Sequence, residues 1–370
     1  MKFTCEREKF LHSFQIAASV APTRSPKPIL QNVKLEVSGD MAQLTATDLD
    51  VALRTEVGGL AVESPGTMVL PVGRFGSILR ESSDEKLSIE TDGTNTVVRG
   101  RSSEFQLPAE NPDDYPTVTS FNEERYHEVP AVFFRQLVRR TIFATDNESS
   151  RYALGGVMVS FVGDEIDGVG TDGRRLAWQH GPAKSVGGHD NEGMTTIIPT
   201  RAMTILDRAL AESDDEVQLS VRENDVLVRS RRMMLYARLV EGRFPKWRDV
   251  LPNTEGATSF ELAVGPFHSA VRQAAIVTSD ERRGVDFTFG EGKLALAAFG
   301  AEDGQSHVEM PLAYEGPGIV VTLDPRYLSD FLRVLDPAQT ITMTVRNAET
   351  AAVLRTGDGY TYIVMPLARK

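Results

Sequence analysis

An α+β protein made of three tandem copies of one domain is the fold that the sequence predicts, and three observations predict it. First, Gly168-Val169-Gly170-Thr171-Asp172-Gly173-Arg174-Arg175-Leu176 closes a short alternating apolar run with a small and polar cluster, the pattern of a strand followed by a turn, and weaker copies stand at 44–50 and 294–303. Second, markers recur at a fixed offset. Phe134 with Val138 follows Phe10 with Phe14 by 124 residues, Thr171 follows Thr47 by 124, Arg201 follows Arg74 by 127 and Arg326 follows Arg201 by 125. Tyr115-Pro116, Phe244-Pro245 and Met365-Pro366 close successive copies. A period this long is a whole domain, since solenoid repeats run about 20–50 residues. Third, 370 residues with 41% hydrophobic content exceed one ordinary core and suit two or three domains.

Taken in order, the first copy opens with an amphipathic stretch at 6–20 that places Phe10 and Phe14 on one face. Stretches 29–37, 41–47 and 51–57 alternate like strands, and Ser38-Gly39-Asp40 turns between the first two. A shorter helix follows at 74–80, then strands around 87–90, 96–99 and 105–107, and a polar linker bearing Pro116. The order returns from Val129 and again after a linker at 251–259, so the domains are expected at 1–125, 126–252 and 253–370.

Composition excludes several classes. One cysteine, Cys5, rules out a disulfide framework and a thiolate zinc site. No apolar run approaches the ~18 residues of a membrane span. The first eight residues lack the order of a signal peptide, so a cytosolic protein with no membrane partner is expected. The six histidines, His12, His127, His180, His189, His268 and His307, show no metal spacing, and His12 and His268 read as helix-surface or packing residues. Asp172 with Asp167, or Asp48 with Asp50, could be carboxylate pairs for acid–base or magnesium chemistry, but such residues more often satisfy turn backbones. Gly168, Gly170 and Gly173 match the dinucleotide fingerprint, with Glu192 about 20 residues on, which leaves a nucleotide-dependent enzyme as the alternative. That fingerprint must open a helix, whereas the residues after Gly173 read as a strand. No cofactor is expected, and without a P-loop any ATP-driven step needs another protein.

A net charge of −12 argues against nucleic acid unless the charge is segregated. The helical stretches 6–20, 73–80, 131–145, 200–210, 265–278 and 325–335 carry Arg7, Lys9, Arg74, Arg80, Arg135, Arg139, Arg140, Arg201, Arg208, Arg272, Arg326 and Arg333 against Glu6, Glu8, Asp207 and Asp330. The remainder of the chain is strongly acidic. Charged faces are common on solvated helices. Six helices leaning one way against an acidic background instead suggest a basic wall for phosphates, which would hold a duplex without reading its sequence.

Thr171-Asp172-Gly173-Arg174-Arg175-Leu176, Leu239-Val240-Glu241-Gly242-Arg243-Phe244-Pro245, Pro28-Ile29-Leu30 after Arg24, and the tail Ile363-Val364-Met365-Pro366-Leu367 resemble the bacterial DNA polymerase III beta subunit, the replicative sliding clamp, over the whole chain. The resemblance implies clamp-type domains of two helices and two antiparallel sheets each. It implies a head-to-tail homodimer closed as a ring on double-stranded DNA, non-enzymatic, loaded by an ATP-dependent clamp loader, and working at the bacterial nucleoid. Arg24, Arg74, Arg80, Arg135, Arg139, Arg151, Tyr152, Arg201, Arg208, Arg272 and Arg326 would face DNA. Leu154, Thr171, Gly173, Arg175, Leu176, Pro245, Val250, Tyr327, Met365, Pro366 and Leu367 would form the cleft where the replicative polymerase, the loader, repair polymerases and other partners dock a short peptide. Phe105 and Leu107 would pack on Ile276 and Val277 of the second chain. Arg174 stands where the family often has His, Asp249 where it often has Arg, and the tail ends Leu367-Ala368-Arg369-Lys370 rather than Met-Arg-Leu.

Overall fold

A computed structural model describes every residue except Asp40, Asn147 and residues 149–152, 211–215, 301–303 and 369–370. Its α-helices among the described residues are α1 (Arg7–Ala18), α2 (Val72–Glu81), α3 (Ala131–Thr141), α4 (Thr200–Ala209), α5 (Val264–Ala274) and α6 (Pro325–Arg333), two per repeat. The chain packs as two compact units, Met1–Arg135 with Ala183–Met194 and Arg201–Leu239, and Gln136–Pro182 with Thr195–Thr200 and Val240–Lys370. Both units take residues from the middle repeat.

The first unit holds two antiparallel sheets. One has five strands, in the order Leu60–Ser64, Lys2–Glu6, Lys86–Thr91, Asn95–Arg99, Glu104–Pro108. The other has nine, Lys184–Val186, Tyr126–Pro130, Glu216–Val221, Asp225–Arg229, Met233–Arg238, Val51–Glu56, Met41–Thr47, Asn32–Ser38, Gly66–Pro71, and so runs unbroken from the second repeat into the first. The seam pairs Val51 with Ala237 and Leu53 with Leu235. Phe10 and Phe14 of α1 meet Phe75 of α2 at ring distances of 5.9 and 5.1 Å, so apolar residues at helical spacing bury one face of each helix on its neighbour.

In the second unit an eight-stranded sheet joins the second repeat to the third: Ile197–Pro199, Gly156–Val162, Glu165–Thr171, Arg175–Pro182, Tyr360–Val364, Ala352–Arg355, Thr340–Val345, Thr258–Ala263. Its seam pairs Arg175 with Val364 and Leu176 with Ile363. A four-stranded sheet of Gly304–Pro311, Lys293–Gly300, Val285–Gly290 and Ile319–Leu323 completes it. Stacked Phe331 and Tyr362 rings, 4.8 Å apart, tie α6 to the seam strand.

Two details differ from the expected elements. The strand expected at 29–37 begins only at Asn32, because Pro28 starts a 3-10 helix, Pro28–Gln31, with its fixed φ. The Asn32 side chain then donates to the carbonyls of Pro28 and Ile29 at 3.2 and 3.1 Å, which closes the turn. The strand Lys293–Gly300 stands where the third copy of the opening motif was expected, and residues 301–303, where its closing turn was expected, lie outside the described residues.

Candidate nucleic-acid interface and peptide cleft

The Thr-Asp turn is one physical device used three times. Thr171 Oγ1 donates to the Arg175 carbonyl at 2.6 Å and accepts from Gly173 N–H, while Asp172 Oδ1 accepts from the N–H groups of Arg174 and Arg175. Thr47 with Asp48 repeats these bonds around residues 49–51, and Thr91 with Asp92 repeats them around residues 93–95. Short polar side chains thereby replace the backbone partners that a tight turn lacks. The third turn residue is left-handed, Gly173 at φ 84° and Leu49 at φ 82°.

Packing accounts for the remaining glycines of the fingerprint. A Cβ on Gly168 would lie 2.5 Å from the Leu137 side chain, and one on Gly170 would lie 2.2 Å from the Thr141 carbonyl, so α3 can rest on this strand only if both are glycine. All three glycines sit in or just after the strand Glu165–Thr171, and no helix follows them. The nucleotide alternative has no structural basis.

The eleven residues expected to form the cleft all fall in the second unit. Leu154, Thr171 and Leu176 are buried, Arg175, Pro245, Tyr327, Pro366 and Leu367 are half-buried, and Gly173 is exposed. Val250 and Met365 keep 57% and 48% of their surface in water. Arg175 joins the parts: it donates to Asp172 at 3.0 Å, Asp330 at 2.7 Å and the Phe143 carbonyl at 2.7 Å, and stacks over Tyr327 at 4.5 Å. The backbone seats the tail, with Met365 N–H on the Arg174 carbonyl and Leu367 N–H on that of Thr322. Leu176 packs with Val169, Trp247, Val353 and Ile363, so it is a core residue beneath the expected cleft.

The expected DNA-facing residues divide by partner. Arg24, Arg74, Arg208 and Arg272 are exposed and form no hydrogen bond or ion pair among the described residues, and Arg80 binds only Ser77 of its own helix. Arg272 with Arg333 adds to burial in lowering the His268 imidazole below its usual range, a sign of local positive potential. Others are committed elsewhere. Arg135 is only 20% exposed and lies 3.8 Å from Asp207, Arg201 pairs with Asp48 and donates to the Val20 carbonyl, and Arg326 is held by Asp324 and Asp280. Arg140, counted among the helix cations, is buried against Asp358 at 2.9 Å. Arg139 is exposed, and Arg151 and Tyr152 lie outside the described residues.

At the expected subunit contact, Phe105 is exposed on the edge strand Glu104–Pro108, with Leu107 turned inward and buried. Ile276, 78% exposed, and half-buried Val277 form the 3-10 turn after α5.

Sequence spacing missed two buried clusters. His127 and His189, 62 residues apart in sequence, meet with Nδ1 atoms 2.7 Å apart, and Val221 N–H donates to His189 Nε2. Burial, then the neighbouring His127, lowers the His189 pKa. Asp167 is not a turn residue. It lies within a strand, buried, and accepts side-chain hydrogen bonds from Trp178, His180 and Arg248. The alternation of Trp178 and His180 along one strand was the available signal for the second cluster.

Three helix-backed repeats, each with an exposed helix arginine that has no partner among the described residues, and continuous sheets across both seams define a scaffold of the sliding-clamp class. Family profiles for the N-terminal, central and C-terminal domains of the DNA polymerase III beta subunit match residues 1–119, 128–246 and 248–368. The chain is 28% identical to the beta sliding clamp of Pseudomonas putida and 26% identical to that of Escherichia coli K12, in each case over 99% of this chain and all of the relative. It superposes with a TM-score of 0.89 and 26% identity, over the full length of both chains, on the Pseudomonas aeruginosa sliding clamp solved with griselimycin bound. The chain belongs to the DNA polymerase III beta subunit family, and it is a sliding clamp, the non-catalytic processivity subunit, with DNA and polymerase as its partners in replication.

Proposed function

We propose that the domains are 1–125, 126–252 and 253–370, and that two chains close head to tail into a ring around duplex DNA in the bacterial cytoplasm, at the nucleoid. A heterologous contact of Phe105 and Leu107 with Ile276 and Val277 of a second copy either closes or makes a filament. Many weak, sequence-blind phosphate contacts would let the closed ring slide. The cleft around Leu176, Val250 and Met365 would take the peptide motif of the replicative polymerase, the ATP-dependent loader and repair polymerases, with Met365 adapting to different anchors.

The observation that carries this reading is that each repeat presents an exposed helix arginine with no partner among the described residues: Arg74, Arg208 and Arg272. Their replacement by Ala should leave folding intact. It should lower the slope of log affinity against log salt by about three per chain, near 0.9 for each phosphate no longer neutralised. Retention on circular DNA, measured across a salt series, checks this. A slope equal to wild type would sink the reading.

A further inference from the structure

The sheet face that carries the cleft floor continues into a polar knot that the cleft does not include. Leu176, Trp178 and His180 alternate along one strand, opposite Thr171, Val169 and Asp167 on the next. The Asp167 carboxylate is satisfied three times over. Oδ1 accepts from Trp178 Nε1 at 2.7 Å and from His180 Nδ1 at 3.0 Å, and Oδ2 accepts from Arg248 Nη2 at 2.6 Å. Arg248 itself lies over the Trp247 ring at 4.2 Å, and Trp247 rests 5.0 Å from Trp178. A buried carboxylate is tolerated only when its oxygens are fully engaged, so the arginine that completes the set is fixed in turn.

Arg248 belongs to the 3-10 turn Trp247–Val250, and Val250 at its end is exposed. That turn has few backbone bonds, all of them local: Trp247 N–H to the Pro245 carbonyl at 2.7 Å, Asp249 N–H to the Lys246 carbonyl at 3.0 Å, and Leu251 N–H to the Arg248 carbonyl at 3.4 Å. Its position on the sheet therefore depends on Trp247 below and on the single bond from Arg248 to Asp167. We propose that Asp167 is a positioning residue for peptide binding: through Arg248 it pins the turn and holds Val250 where a docked peptide meets it. This rests on the cleft reading above. An Asp in mid-strand with three donors is otherwise hard to explain, because burying a carboxylate costs more than an apolar residue of similar size would.

The test uses the full-length chain and a labelled peptide carrying the clamp-binding motif of the replicative polymerase. Asp167→Asn and Arg248→Met should each weaken peptide binding roughly 5- to 10-fold, the loss expected for a charged hydrogen bond acting at one remove. The double variant should bind no worse than the weaker single, because both changes break one link. In a Val250→Ala background Asp167→Asn should cost nothing further. Because Arg248 is more than half exposed, Arg248→Met tests the link even if the Asp167 variant folds poorly. Peptide affinity within twofold of wild type for both variants, additive losses, or the same loss without Val250 would overturn the proposal. Amide exchange at Asp249 and Leu251 reads the turn without any peptide. It should speed up in both variants, and unchanged exchange would refute the pinning even if wild type bound no peptide, a result that would fall instead on the cleft reading.

Discussion

The two inter-repeat seams use the same backbone and finish it differently. At the first, Arg238 N–H donates to the Asp50 carbonyl and Val240 N–H to that of Ile197; at the second, Met365 N–H donates to Arg174 and Leu367 N–H to Thr322. The Thr-Asp turns beside them match bond for bond. Side chains make the difference. The first seam is covered by linker residues Val118 and Phe121, held because Arg54 donates to the Val118 carbonyl and Ser120, with Arg229 over the Phe121 ring at 4.2 Å. At the second, the cation is on the linker and the acceptor on the sheet: Arg248 reaches Asp167 over the Trp247 ring. Phe121 ends its cover buried, whereas Val250, at the end of the turn that Trp247 begins, stays in water, as does Met365 of the tail. Duplication has preserved hydrogen bonds, which any sequence can make, and the apolar surface left in water depends on a few side chains at one seam.

The largest effects should come from the covering aromatics. Trp247→Ala and Phe121→Ala should each cost about 3–5 kcal/mol of local stability, read by amide exchange in the affected unit. Only Trp247→Ala should also abolish peptide binding, and loss of binding in the Phe121 variant would erase the distinction drawn between the seams. Arg175→Met leaves Asp172 and Asp330 without their shared cation and should cost roughly 3 kcal/mol in urea unfolding of the second unit. No comparable penalty is expected from Val51→Ala, its counterpart at the first seam. Smaller still is the left-handed turn residue. Gly173→Ala should destabilise by about 1 kcal/mol, whereas Leu49→Gly should change little or stabilise slightly, since Leu49 already bears that strain; a thermal shift of the same sign for both would contradict the equivalence of the turns.

Acidity should separate the units as well. His189 has a lowered folded pKa, so its contribution is complete above the ordinary histidine value of about 6.5 and is lost as pH falls below it, when the unfolded chain takes up the proton first. In the second unit, burial acts to raise the Asp358 carboxyl, but the Thr356 hydroxyl and Arg140 outweigh it and hold the group low. Its contribution is present above about pH 3.9 and fades below that value. Hydrogen exchange across a pH series should show the first unit weakening near pH 6, a response that His189→Gln should flatten, whereas the second unit, whose His268 is lowered too, should keep its own response near pH 6 in that variant and lose the Asp358 contribution in the carboxylate range.

Much of this architecture was legible in the residues. The period of about 125, the six helices and the strand after Gly173 follow from apolar spacing and turn chemistry, which are local properties. The residues proposed for the cleft were chosen by motif, and all lie in the second unit; the exposed arginines Arg74, Arg208 and Arg272 were chosen by charge. Which arginines are free could not be read, because Arg135 meets Asp207, Arg201 meets Asp48 and Arg140 meets Asp358 across 72, 153 and 218 residues of chain. The Asp167 knot and the His127–His189 pair were hidden for the same reason: strand register sets His180 opposite Asp167, but Arg248 comes from a 3-10 turn and His189 from a segment outside any strand, and no fixed sequence interval encodes where they fold back. The glycines of the fingerprint needed the weight of α3 above them before their cause was visible.

The chain has two tryptophans, Trp178 and Trp247, and they lie together in the second unit. Intrinsic tryptophan emission is therefore a built-in optical gauge of the seam between the second and third repeats and is blind to the other unit. A denaturation curve followed by that light alone reports half a molecule, and circular dichroism, which sees every strand, will diverge from it whenever the two units melt apart.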